Sequence, residues 1–160
     1  MQVYGPGGKL GAVLIWLFLL LLLAVALEHR SKRPFLATLG GRGLALLLSA
    51  ERLTEHRYEV VDLPAIGFRA AAQTWGETVL VTRALMASPN ARTTLAHEAV
   101  HVRQYRELTS FGFWLAYLRG YVSGLWRYRN AFSAYWEIPL EVAARREADA
   151  SDGAPSLRQG

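Results

Sequence analysis

The stretch LGAVLIWLFLLLLLAVAL, residues 10–27, constrains this chain more than any other, because its eighteen residues carry no charge and only one polar side-chain group, the Trp16 indole. As a helix it rises about 27 Å, close to the ~30 Å hydrocarbon core of a bilayer. A helix packed in a small soluble core keeps a polar face, and this one has none. Two readings fit: a retained anchor, or a signal peptide cleaved at the small-residue site Ala24-Val25-Ala26. Only Lys9 precedes the run, whereas Arg30, Lys32, Arg33 and Arg42 follow it. The positive-inside tendency therefore favours a single-pass anchor with the remainder of the chain in the cytoplasm, export after cleavage being the alternative.

The rest has room for one further folded unit. At 160 residues and 52% hydrophobic content, one core is expected. The charge is +5, with 18 Lys and Arg against 13 Asp and Glu. The basic side chains are scattered instead of forming a stripe with stacking aromatics, which argues against a nucleic-acid partner. With no cysteine, disulfides, thiolate metal sites and a cysteine nucleophile are excluded.

Beyond Pro34, FLATLGGRGLALLLSAERL mixes glycines with a leucine run too short to span a bilayer, and reads as a membrane-proximal linker leading into a helix. Leu44, Leu47, Leu48 and Leu53 are its candidates for packing on the globular part. YEVVDLP, residues 58–64, has the form of a short strand. In GETVLVTRAL, Thr78, Leu80 and Thr82 alternate with Val79, Val81 and Arg83 after a turn at Trp75-Gly76. Ser88-Pro89-Asn90 signals the start of a helix over 91–108. The apolar, aromatic segment 111–126 fits a core-packing helix or helical hairpin, or alternatively an interfacial segment touching lipid. A last helix begins near Ala131 or Pro139 and runs to Ala148, and residues 149–160 read as a disordered tail.

The helix over 91–108 carries His97-Glu98-Ala99-Val100-His101. Positions four apart share a helix face, so the two imidazoles can meet one ion, while Glu98 stands at the edge, placed to take a proton from water. Zinc suits such a donor set, since it accepts nitrogen and carboxylate ligands and leaves a position open for water. A third ligand is required. His29 and His56 are available, but YWEIPLEVAARREAD offers the better supply, Glu137, Glu141 and Glu147, and spacing leaves Glu141 little ahead of Glu137. Tyr128, Tyr135 and His56 are candidates for donating to a developing oxyanion, although packing is the commoner role of such tyrosines.

LAHEAVHVRQY followed about forty residues later by IPLEVAAR resembles the short gluzincin-type zinc metallopeptidase-like proteins. In these, a helix bearing HExxH and a following Gln precedes a helix opening on NPxExEA. The resemblance covers residues 79–148 and implies His97, His101 and Glu141 as zinc ligands, Glu98 as general base, and TVLVT as the sheet edge on which a peptide lies. The chain departs from the pattern at Ile138, where Asn is usual, and at Ala143, where a second Glu is usual. The latter leaves Glu141 alone within the motif and leaves Asp149 or Glu147 as guesses for the group orienting a ligating His. The aromatic insertion between the two motifs is similar to that of membrane-bound HExxH peptidases of the heat-shock membrane protease type.

Together these readings give an α+β fold: a small zincin-like domain, helices with a short β-sheet, over 51–148. An N-terminal segment and transmembrane helix over 1–27 and a linker and helix over 28–50 precede it. The expected partners are a peptide or protein substrate and membrane lipid. The expected activity is zinc-dependent peptide-bond hydrolysis, against a zinc-binding, non-proteolytic structural or partner-binding domain.

Overall fold

The computed structural model describes residues 6–54, 56–60 and 71–152, with the backbone alone over 6–15, 58–60, 151 and 152. The fold is mostly helical α+β. In chain order the elements are α1 (Pro6–Ser31), α2 (Phe35–Leu47), β1 (Glu51–Arg52), β2 (Arg57–Val60), β3 (Ala72–Trp75), β4 (Thr78–Thr82), α3 (Arg83–Met86), α4 (Ala91–Tyr128), α5 (Ala131–Trp136) and α6 (Pro139–Asp152). The apolar run at 10–27 is helical throughout within α1. Its side chains are described only from Trp16 onward, and among the described residues no helix is long and apolar enough to cross a membrane.

The sheet order is β1-β2-β4-β3, with β1/β2 and β3/β4 antiparallel and β2/β4 parallel. β4 is therefore an interior strand, and TVLVT is not the free edge that the family resemblance implied. Among the described residues the edge beside it is β3, a stretch for which no strand was expected. Ala72–Trp75 pairs with Thr78–Val81 across the tight turn Gly76-Glu77. Its first residue is left-handed, φ 64°, a conformation glycine adopts without steric cost. Thr78, Leu80, Val81 and Thr82 are all buried, so the strand is covered on both faces, which alternation alone had not shown. The expected strand over 58–64 is present as β2, and its remainder, 61–64, lies outside the described residues.

The glycines expected to make a linker stand inside α2, which packs on the β3/β4 hairpin. A Cβ on Gly41 would lie 2.6 Å from Trp75 Cβ and 2.9 Å from Thr78 Cβ, so the helix approaches the hairpin more closely than a side chain permits. Leu44 and Leu48 join Ala45, Leu80 and Trp75 in the core there. Leu47 and Leu53 are exposed instead. The buried stripe of α2 runs through Ala37, Gly41 and Ala45, a four-residue spacing that puts Leu47 off the face.

α4 begins at Ala91, as Ser88-Pro89-Asn90 had signalled. Its N-cap is Asn90, without a side-chain cap bond, and Ser88 Oγ instead accepts from Asn90 N at 3.2 Å. The helical run breaks at Thr109 (φ 64°, ψ 174°), where the sequence had placed the end of the motif helix. A second straight part, 110–128, continues in a new direction. Positive φ is costly for a β-branched residue, and a buried carboxylate accompanies it here. Glu28, at the end of α1 and fully buried, accepts from Ser110 N at 3.0 Å, Ser110 Oγ at 2.8 Å and Leu36 N at 2.5 Å. Ser110 Oγ in turn accepts from Ala37 N at 2.9 Å. One carboxylate thus caps the N-termini of α2 and of the second part of α4, satisfying donors that a helix start leaves open. Both α5 and α6 exist, so the two expected starts for the last helix are two helices. α6 continues to Asp152, making residues 149–152 of the expected disordered tail helical; residues 153–160 lie outside the described ones.

Candidate metal centre

α4 and α6 bring the site together. Gly120 makes the approach possible, since a Cβ there would stand 2.9 Å from Pro139 Cδ and 3.3 Å from Ile138 Cγ2. Ile138, the departure from the family pattern, is fully buried at this joint. Docked there, α6 starts at Pro139 and presents Glu141 from its first turn toward His97 and His101.

His97 Nε2 and His101 Nε2 are 3.0 Å apart. Glu141 Oε2 lies 3.2 Å from the first and Oε1 3.4 Å from the second. His101 and Glu141 are buried and His97 is half-buried, and the three form a group that could hold a metal ion. Tetrahedral coordination at about 2.0–2.1 Å puts ligand atoms roughly 3.3 Å from one another, close to each of these separations. Glu141 Oε2 is buried without a hydrogen bond despite its closeness to His97. A buried carboxylate oxygen left in this way fits a donor reserved for a cation.

The tautomer of His101 follows from its neighbours. The carbonyl of Leu140 can only accept, so Gln104 turns its Nε2 there, at 3.0 Å. Gln104 Oε1 therefore faces His101 Nδ1, at 2.9 Å, and the ring donates from Nδ1. Nε2 keeps its lone pair for the ion. Gln104 is the orienting group that had been sought in Asp149 or Glu147, and its signal was in the sequence, one helical turn beyond His101. Phe113 stands edge-on to His101 with centroids 6.0 Å apart, and Tyr105 stacks on Phe113 at 3.7 Å across the break in α4.

Without an ion the charges settle among themselves. Burial opposes ionisation of Glu141, but the closeness of His101 and His97 outweighs it and holds the carboxyl well below its usual range. Burial also disfavours a charged His101, and Glu141 overrides it, so the ring's pKa is raised. Tyr117 donates to Glu141 Oε1 at 2.9 Å; burial, then the Glu141 charge, pushes its hydroxyl up.

Glu98 is buried and accepts from Thr74 Oγ1 of the edge strand at 2.6 Å. Burial raises its pKa against the opposing influence of His101, Thr74 and His97. A groove lined by Thr94, His97, Tyr135, Trp136 and Glu141 opens on the triad. Glu98 lines a different cavity, with His56, Arg57, Val79 and Arg106.

The remaining candidates separate cleanly. Glu137 is exposed at the end of α5, and Glu147 pairs with Arg103 on the surface. His29 is exposed on the last turn of α1. Tyr135 reaches the groove, His56 only the other cavity, and Tyr128 neither. Tyr117 and Thr74 were missed: the first lay in a segment read as packing and the second in a stretch that drew no reading. No family model matches the chain, and no curated protein or solved structure matches it either.

Proposed function

We propose that the protein is a membrane-anchored, zinc-dependent metallopeptidase. What carries the reading is the meeting of two histidines and a glutamate at tetrahedral ligand spacing, beside a groove and one residue away from a buried carboxylate. Zinc held there would supply a Lewis acid for water and for a peptide carbonyl. His97, His101 and Glu141 hold it, and Gln104 fixes His101. Glu98, its proton affinity raised by burial, takes a proton from the attacking water and passes it to the leaving amine. The edge strand β3, whose Thr74 steadies Glu98, offers backbone groups for an extended peptide.

The anchor is α1. From Trp16 to Leu23 every residue is about half or more exposed, including positions on all sides of the helix. That is unfavourable in water and natural in lipid. Arg30, Lys32, Arg33 and Arg42 favour a cytoplasmic domain.

One observation supports the non-proteolytic alternative: Glu98 is engaged by Thr74 and lines the cavity that His97 and Glu141 do not. Metal analysis and casein digestion with the purified full chain distinguish the two. Glu98→Gln is expected to retain zinc and lose cleavage by roughly 100-fold or more, the usual worth of a general base. Equal cleavage by both forms removes Glu98 from the reaction. Zinc binding without cleavage by either form leaves the binding domain. A reporter fused after Gly160 tests the orientation, and a periplasmic signal would reverse it.

A further inference from the structure

The second part of α4 has two faces of opposite character. Inward, Phe113 packs with Tyr105, Ala37 and Tyr117, and Gly120 and Gly124 let Ile138, Pro139 and Ala134 approach. Outward, Phe111, Leu115, Leu118, Val122, Leu125 and Trp126 are all exposed, Trp126 by 88%. At 100° per residue these six fall within about 100° of arc and extend roughly 22 Å along the helix. Such a stripe is far larger than scattered surface apolar residues, and it needs a cover.

We propose that this face is a second bilayer contact, lying in the interfacial layer beside α1. Three observations select lipid as the cover. The stripe begins at Phe111, one residue after Ser110, while the apolar run of α1 ends at Leu27, one residue before Glu28; the two apolar surfaces therefore both start at a single carboxylate clamp. Charge is complementary to anionic headgroups. Between Glu107 and Glu137 the only charged residues are Arg119, Arg127 and Arg129, and α1 exits through His29, Arg30, Lys32 and Arg33. Composition fits the headgroup level as well: Trp126 sits on the stripe, with Phe132 and Trp136 exposed just beyond it. One-sidedness separates this helix from α1, whose exposed side chains point every way, and suits lying along the surface.

The inference rests on α1 being in the membrane, and the test separates the two. The chain has no cysteine, so single cysteines at Leu118→Cys, Val122→Cys, Leu20→Cys and Glu107→Cys carry spin labels at defined sites. All four are exposed positions, and far-ultraviolet dichroism with zinc binding verifies each fold. The labelled full-length chains are placed in phosphatidylglycerol/phosphatidylcholine vesicles and probed with oxygen and a water-soluble nickel chelate. The labels at 118 and 122 are expected to shift toward oxygen, as at 20, with 107 remaining open to nickel. If 118 and 122 behave like 107 while 20 stays in lipid, the second contact is overturned and the anchor stands. If 20 is also aqueous, the anchor reading fails and takes this one with it. Shielding of 118 and 122 from both reagents would mean that protein, such as a second copy, covers the stripe, which also overturns the proposal.

Discussion

The two parts of α4 are one helix in sequence and two in physical character. Before Thr109 the buried side chains are Glu98, Val100, His101, Gln104 and Tyr105, and the polar ones among them are positioned by one another, by α6 or by β3. After Thr109 the buried positions are Ser110, Phe113 and Gly124, and the outer surface is apolar. The first part spends its packing on holding ionisable groups at fixed separations. The second spends its packing on small residues that let α5 and α6 close in, which in turn delivers Glu141. The candidate metal centre thus depends on a helix whose second half contributes none of its three side chains.

That contrast can be broken most severely at the ligands. His101→Ala is expected to reduce zinc affinity by more than about 100-fold, the ceiling for partners outside the ligand set, measured by chelator competition. Glu28→Ala strikes the junction between the parts. It leaves donors of Ser110 and Leu36 unpaired in a dry site and should lower unfolding free energy by roughly 3 kcal/mol. Urea denaturation reads the change, and a loss below about 1 kcal/mol would mean that the clamp is dispensable. Gln104→Leu should leave the fold intact while weakening zinc binding by about 10–100-fold.

A pH series sharpens the electrostatic half of the contrast. In the metal-free protein the raised His101 pKa contributes stability that is full below the ring's ordinary value of 6.5 and is lost as pH rises through the raised value. The lowered Glu141 pKa contributes stability present above its ordinary 4.5 and lost as pH falls through the lowered value. The pair is therefore most stabilising between about pH 4.5 and 6.5, whereas zinc competes with the proton on His101 and binds more tightly as pH rises beyond that window. Thermal melts with and without zinc should diverge as the pH increases. The smallest effect belongs to the outer stripe: Leu118→Ser in detergent is expected to change unfolding free energy by less than about 0.5 kcal/mol, since Leu118 is exposed among the described residues.

Local signals in the sequence were strong where the physics is local. Ala91 as the start of α4, the break near Leu108 and the common face of His97 and His101 all follow from caps and helical spacing. Glu141 came from a family pattern, and the structure brings it to the histidines in preference to Glu137 or Glu147. What could not be read was decided by partners outside the segment itself. β3 has only four residues and becomes a strand through its partner β4. Glu28 drew no reading in the sequence, and only the fold supplies its donors. Gly41 stood among the glycines of an expected linker and Gly120 drew no reading, yet each marks where another element comes close.

The Glu28 clamp also sets an order of assembly. Ser110 is 82 residues away from it along the chain, so α1 is made long before two of the three donors to its carboxylate. Until the domain closes, that carboxylate has water in place of the two Ser110 donors, with Leu36 N the one partner near it along the chain, and removing it from water unpaired is costly. The end of α1 therefore stays hydrated until the remainder of the chain folds up to it. Closure of the clamp, a contact of long sequence separation, comes as a late step that requires both α2 and the second part of α4 to be in place.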